Sequence, residues 1–175
     1  MADARTRRLS EDEERAWAGF LAVHARVTRE LDALLGAEHG MPLVEYEVLL
    51  KLAVNGGRMR MSQLADVAFL SRSGLTRIVD ELEALGHVRR EPDEHDGRSV
   101  IAILTPLGRR RFAAARRSHR AHIRQLFLDH LTDQQRSMLA ASWDQILDVV
   151  DSDTGRRPRR RVATRGVQQT SPSQR

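Results

Sequence analysis

The side chains best suited to chemistry stand at helical spacing in the middle of the sequence. With Leu75, Ile78, Val79, Leu82 and Leu85 directed at a core, Arg72, Ser73, Thr76 and Arg77 share the opposite face near the start of one helix, which Ser71 is placed to cap. An Arg guanidinium bonds a guanine edge in bidentate fashion, and Ser and Thr hydroxyls serve bases or phosphates. This face therefore has the chemistry of a helix that enters a DNA major groove. Gly74 inside that helix costs about 1 kcal/mol relative to Ala, which predicts a close approach by a neighbouring helix or by a DNA backbone. Downstream, Asp96-Gly97-Arg98 reads as the tip of a β-hairpin. A projecting Arg98 reaches the strong negative potential of a narrow minor groove, and the Asp96 carboxylate is expected to hold its guanidinium in one orientation.

The elements that must position these residues follow from caps and periodicity. Ser10 with Glu13 forms a capping box, and Trp17, Phe20, Leu21, His24, Val27, Leu31, Leu34 and Leu35 recur at helical steps, giving a long first helix that ends between Gly36 and Gly40. Pro42 suits the first turn of a second helix, whose face of Val44, Val48, Leu49 and Leu52 stops at Asn55-Gly56-Gly57. Arg58-Met59-Arg60-Met61 alternates at period two as a very short strand. Ser62 is placed to cap a short third helix, and a tight connection leads to the Ser71-capped fourth, closed by Gly86. Val88 to Glu91 and Val100 to Leu104 form a hairpin with a polar tip from Pro92 to Arg98. Thr105-Pro106 opens a long helix to about His130, and Thr132 with Gln135 boxes a last one carrying Met138, Leu139, Trp143, Ile146, Leu147 and Val150.

This order is mostly α with a small β-hairpin, α+β in class: a winged helix-turn-helix flanked by long N- and C-terminal helices. The expected organisation is a flexible N-terminus over residues 1–9 and one domain over 10–150, followed by a disordered Arg-rich tail over 151–175. Within the domain, a DNA-binding core spans about 42–105, and dimerisation helices span about 10–37 and 106–150. The long helices carry more apolar face than a winged helix of ~90 residues can cover, which predicts a homodimer with its two recognition helices one DNA turn, ~34 Å, apart.

Composition narrows the function classes. The 175 residues are 41% hydrophobic and 30% charged, as expected for a single globular domain, and include no cysteine. A thiolate metal site, a cysteine nucleophile and a thiol switch are thereby excluded. No run approaches the ~18 apolar residues of a membrane span, and the charged stretch from Met1 to Glu14 lacks the apolar core of a signal peptide, so a cytoplasmic address with no membrane partner is expected. No glycine-rich phosphate loop, H-E-x-x-H or G-x-S-x-G is present, which implies no enzyme, no catalytic residues and no cofactor.

The net charge of +5 hides a pattern. Residues 151–175 hold seven Arg against two Asp, and residues 58–120 hold thirteen Arg against eight acids, while 1–57 and 121–150 are net acidic. Lys51 is the sole lysine. A basic middle between acidic ends points to an anionic partner, double-stranded DNA. The Arg156 to Arg161 run with Pro158 keeps a second reading open, a non-specific architectural protein that coats phosphate.

Several motifs together resemble the MarR family of bacterial transcriptional regulators: Leu43-Val44-Glu45-Tyr46-Glu47-Val48-Leu49, Met61-Ser62-Gln63-Leu64-Ala65, Leu70 through Leu82, Gly86-His87-Val88-Arg89-Arg90, Asp96-Gly97-Arg98 and Leu104-Thr105-Pro106-Leu107-Gly108. The resemblance covers about residues 10–150 and is most specific over 43–110. It implies a homodimer with intertwined terminal helices, a recognition helix beginning near Ser71, and a wing Arg98 supported by Asp96. It further implies a pseudo-palindromic operator, repression as the commoner outcome, and release by a small ligand. Trp17, Glu47, Arg77 and Arg90 resemble the Trp, acid, Arg, Arg set of the family's urate-responsive members, with Glu where Asp is typical. They imply an aromatic or anionic ligand in the crevice between the dimer helices and the DNA-binding lobe. Zinc-sensing members use Cys, His and Glu; here Glu38, His39, His119 and His122 offer only a weak spacing, so no metal site is expected.

Overall fold

Caps decide where most of the helices begin. The structure is a computed structural model, and it describes residues 7–153. Of the flexible start expected over residues 1–9, residues 1–6 lie outside the described residues, as do residues 154–175 of the Arg-rich tail expected over 151–175. The elements run α1 (Glu11–His39), α2 (Leu43–Val54), β1 (Arg58–Arg60), α3 (Met61–Ala68), α4 (Arg72–Ala84), β2 (Val88–Asp93), β3 (Asp96–Leu104), α5 (Pro106–Leu126), a 3-10 turn (Leu128–His130) and α6 (Asp133–Asp153). Ser10 Oγ accepts from the Glu13 N–H at 3.3 Å while the Glu13 carboxylate accepts from the Ser10 N–H at 2.7 Å, closing the capping box. Gly40, at φ 54°, ends α1 in the left-handed conformation. Asp32 on α1 then caps α2, its Oδ1 accepting the Leu43 N–H at 2.7 Å.

The strands form one antiparallel sheet in the order β1-β3-β2. Helices α2 to α5 close over it, and their shared core contains Leu49, Leu52, Leu64, Val79 and Leu82, all fully buried. Each such side chain contributes about 1.5–3 kcal/mol on burial. Tyr46 is the largest of the fully buried residues; its ring lies 5.5 Å from that of Phe112 and 4.3 Å from that of His119, both on α5. Only the C-terminal third of α1 enters this core, through Leu31 and Leu35. Its N-terminal part is exposed from Glu11 to Arg26, including Trp17 and Leu21.

The chain divides into two units, residues 1–131 and 132–175. In the second, Thr132 and Gln135 cap each other as the sequence predicts, with bonds of 2.8 and 3.2 Å. Along α6, Met138, Ile146 and Leu147 are exposed.

Five details differ from expectation. Pro42 occupies the N-cap of α2 rather than its first turn, and α3 starts at Met61 behind Arg60, with no side-chain cap, so Ser62 lies inside the helix. The long helix stops at Leu126 and gives way to a 3-10 turn before His130. The hairpin reverses at Glu94-His95, because the Asp93 carboxylate accepts the His95 N–H at 3.0 Å and fixes the turn there. The last helix continues to Asp153, past the point where apolar periodicity ends.

Gly108 shows how tightly α5 is seated on the wing. A Cβ there would stand 2.1 Å from the His87 carbonyl oxygen, while the Thr105 hydroxyl donates to the Gly86 carbonyl at 2.7 Å and accepts from the Gly108 N–H at 3.0 Å. Gly108→Ala is expected to destabilise the fold by about 1–3 kcal/mol through overpacking. Urea denaturation measures this directly; an unchanged midpoint would refute the seating.

Candidate nucleic-acid interface

The start of α4 is built as the sequence predicts. Ser71 Oγ accepts the Gly74 N–H at 3.0 Å, satisfying an end group of the helix. A Cβ on Gly74 would also meet that Oγ at 3.0 Å and no atom of a neighbouring helix, so within the protein the glycine makes room for the cap itself. Leu75, Ile78, Val79 and Leu82 are buried, whereas Leu85, expected on the same face, is the C-cap and is exposed; this leaves Arg72, Ser73, Thr76 and Arg77 exposed on the outer face. The Thr76 hydroxyl donates to the Arg72 carbonyl at 2.9 Å, leaving its lone pairs outward. Arg77 pairs with Glu81 one turn on, at 3.6 Å, with most of its side chain in solvent.

The wing tip differs from expectation in one respect. The Asp96 carboxylate accepts the Arg98 backbone N–H at 3.1 Å and the Ser99 hydroxyl at 2.7 Å; it shapes the loop and leaves the Arg98 guanidinium exposed. The Ser99 bond, then the Arg98 N–H, hold the Asp96 carboxyl below its ordinary pKa. Pairing jumps from Pro92 with Val100 to Asp93 with Asp96, so Gly97, Arg98 and Ser99 bulge out of the ladder. Arg98 is thereby pushed clear of the sheet.

Two residues that the sequence reading passed over position this tip. Arg60 on β1 donates through Nε to the buried Asp93 at 2.6 Å, tying the hairpin end to the opposite edge strand. The His95 N–H and then Arg60 keep Asp93 ionised by lowering its pKa. The period-two alternation around Arg60 was visible, but its partner stands 33 residues away.

Arg90 links the wing to α4. Its guanidinium bonds Asp80 at 2.6 Å, Glu83 at 2.8 Å and the Thr76 carbonyl at 3.1 Å, while its N–H reaches Glu83 at 2.8 Å. Between helix and wing lies a cleft of 630 Å³ whose lining includes Arg60, Arg72, Thr76, Arg90 and Arg98.

The four residues of the expected ligand set are not drawn together within one chain. Glu47 borders a crevice between α1 and α2 with His24, Arg29 and Asp32, and partial desolvation, opposed by Lys51 and His24, raises its pKa. Trp17 is exposed on α1 and stacks near Phe20, 5.7 Å between centroids, while Arg77 and Arg90 belong to the α4–wing side. Among the histidines, His122 Nε2 lies 2.9 Å from Glu38, and His39 Nε2 lies 2.9 Å from the Ser118 hydroxyl. Among the described residues no three His, Asp or Glu side chains converge as a metal-holding group.

Helix, turn, recognition helix and hairpin in this arrangement define a winged helix-turn-helix of the kind that reads DNA. The MarR family model matches residues 39–99. AbsC, a MarR family regulator from Streptomyces coelicolor, is 32% identical, with a TM-score of 0.77 over 84% of this chain and 99% of that one. Sco3205 from the same organism, solved in complex with DNA, is 33% identical with a TM-score of 0.76 over 86% and 92% of the two chains. The transcriptional regulator TtmR of Methylorubrum extorquens is 37% identical over 100 residues, 57% of this chain and 50% of TtmR, so the match spans half that relative's length. The chain belongs to the MarR family of transcriptional regulators.

Two histidines whose Nδ1 atoms are buried give the fold a pH response. Burial holds the pKa of His87 and of His119 below the ordinary 6.5, with Arg111 adding to the effect at His87 and His122 at His119, and the Nδ1 of each is buried without a partner. The unfolded chain therefore takes up protons first as pH falls below about 6.5, and stability declines from there downward. Glu45, raised above 4.5 by burial and by Glu81, works in the opposite sense. The melting temperature is expected to fall between pH 7.5 and 5.5, and to fall less in His119→Phe; equal slopes in the two proteins would remove His119 from the account.

Proposed function

We propose that the protein is a sequence-specific DNA-binding transcriptional regulator that binds a pseudo-palindromic operator as a homodimer in the cytoplasm, and that it acts as a repressor released by a small ligand. The single observation that carries this reading is the cleft flanked by Arg72 and Thr76 on α4 and by Arg98 on the wing, two cationic arms set to take adjacent grooves of one duplex. Sco3205, a similar regulator solved in complex with DNA, supports DNA as the partner. Support for the dimer comes from the exposed apolar residues of α1, such as Trp17 and Leu21, and separately from those of α6. An aromatic or anionic ligand acting through Trp17, Glu47, Arg77 and Arg90 would have to use residues of both subunits or shift α4.

Replacing Arg98 by Ala is expected to weaken operator binding by about 1–3 kcal/mol while the melting temperature holds. A gel shift on the intergenic DNA beside the gene measures it, and wild-type affinity in the variant would falsify the wing assignment. Deleting residues 151–175 separates this reading from a non-specific architectural protein. In a regulator the sequence preference survives with a shallower salt dependence, whereas in a phosphate-coating protein binding itself is lost.

A further inference from the structure

The turn that joins α3 to α4 carries a residue at odds with its backbone. Phe69 stands at φ 56° and ψ 33°, in the left-handed region, where its own N–H and that of Leu70 both reach the Ala65 carbonyl and close α3. The other positive-φ positions among the described residues, Gly40, Gly56, Gly57 and Gly86, are all glycines. A bulky L-residue is strained in this conformation, and Gly would serve the turn better. Burial does not offset the strain: Phe69 is 64% exposed, more than any other large apolar residue among those described, while the neighbouring Leu70 packs against the core. A strained backbone that carries a solvent-facing aromatic ring marks a position selected for contact rather than for the fold.

We propose that Phe69 is a specificity-determining residue whose ring takes the C5 methyl group of an operator thymine in the major groove. The inference rests on the reading of α4 as the recognition helix. Phe69 stands two residues before Ser71, the cap of that helix, and so adjoins the end of α4 that reaches base edges. A phenyl ring has no hydrogen-bonding group, which leaves phosphates and polar base edges to Arg72, Ser73 and Thr76. The thymine methyl is the apolar group that the major groove presents, and contact with it removes apolar surface of both partners from water.

The test uses the full chain and an operator duplex that the wild-type protein selects from random-sequence DNA. Each thymine of the selected site is replaced in turn by deoxyuridine, which lacks only the C5 methyl, and affinity is read by fluorescence anisotropy. One position per half-site is expected to cost the wild type about fourfold in affinity, the effect of one buried methyl group. Phe69→Gly is expected to bind the unmodified operator about fourfold or more weakly and to be indifferent to deoxyuridine at that position. Its melting temperature should rise by about 2–4 °C as the strain is relieved. Phe69→Leu keeps an apolar side chain and should retain part of the thymine preference. Equal deoxyuridine profiles in the wild type and Phe69→Gly overturn the proposal. So does unchanged operator affinity in Phe69→Gly, which would assign the ring to a protein partner. A lower melting temperature or an altered dimer dissociation constant in that variant overturns it equally, by placing the ring in the fold or in a subunit interface. Selection that yields no sequence preference would instead remove the reading of α4, and this proposal with it.

Discussion

The geometry of the surface shared by α4 and the wing depends on one side chain, Arg90. Four hydrogen bonds from this residue, three through the guanidinium and one through the backbone N–H, fasten β2 to Asp80, Glu83 and the Thr76 carbonyl of α4. Charge-assisted bonds of this kind are roughly twice as strong as neutral ones, and here they join the two elements proposed to contact DNA. Helix and wing therefore keep a fixed separation. Arg60 with Asp93 extends the same bracing across the sheet, so that the bulge carrying Arg98 springs from a fixed base.

This bracing gives the arginines two distinct roles. Those in the sheet and at its edges meet Glu91, Asp93, Asp80 or Glu83, and their charge is used internally. Arg72 and Arg98 lack such partners among the described residues and present their charge outward. The basic middle of the sequence is thus not one uniform patch. Neutralised struts hold the framework, and a smaller set of exposed guanidiniums sets the external field.

Much of the fold was legible because its signals are local. The capping boxes at Ser10 and Thr132, the Ser71 cap and the buried series Leu75, Ile78, Val79 and Leu82 are interactions within one or two helical turns, and each stands where the spacing puts it. The hairpin turn was misplaced because Asp96-Gly97 is the stronger two-residue signal, whereas the deciding bond, Asp93 to the His95 N–H, depends on which residue the ladder leaves unpaired. For Asp96, spacing identified the right neighbourhood and the wrong atom: the carboxylate reaches the Arg98 backbone rather than its guanidinium. The roles of Arg90 and Arg60 were out of reach, since their partners lie across a turn or on another strand. Periodicity carries no record of such pairs.

The near-absence of lysine has a further consequence. The cell's common means of erasing positive charge, acylation of a side-chain amine, has no substrate on this surface, because every side chain there with a permanent positive charge is a guanidinium. The one side-chain amine, Lys51, sits in the last turn of α2. An amine-directed fluorophore would label that helix end, besides the chain's α-amino group, and leave α4 and the wing chemically untouched.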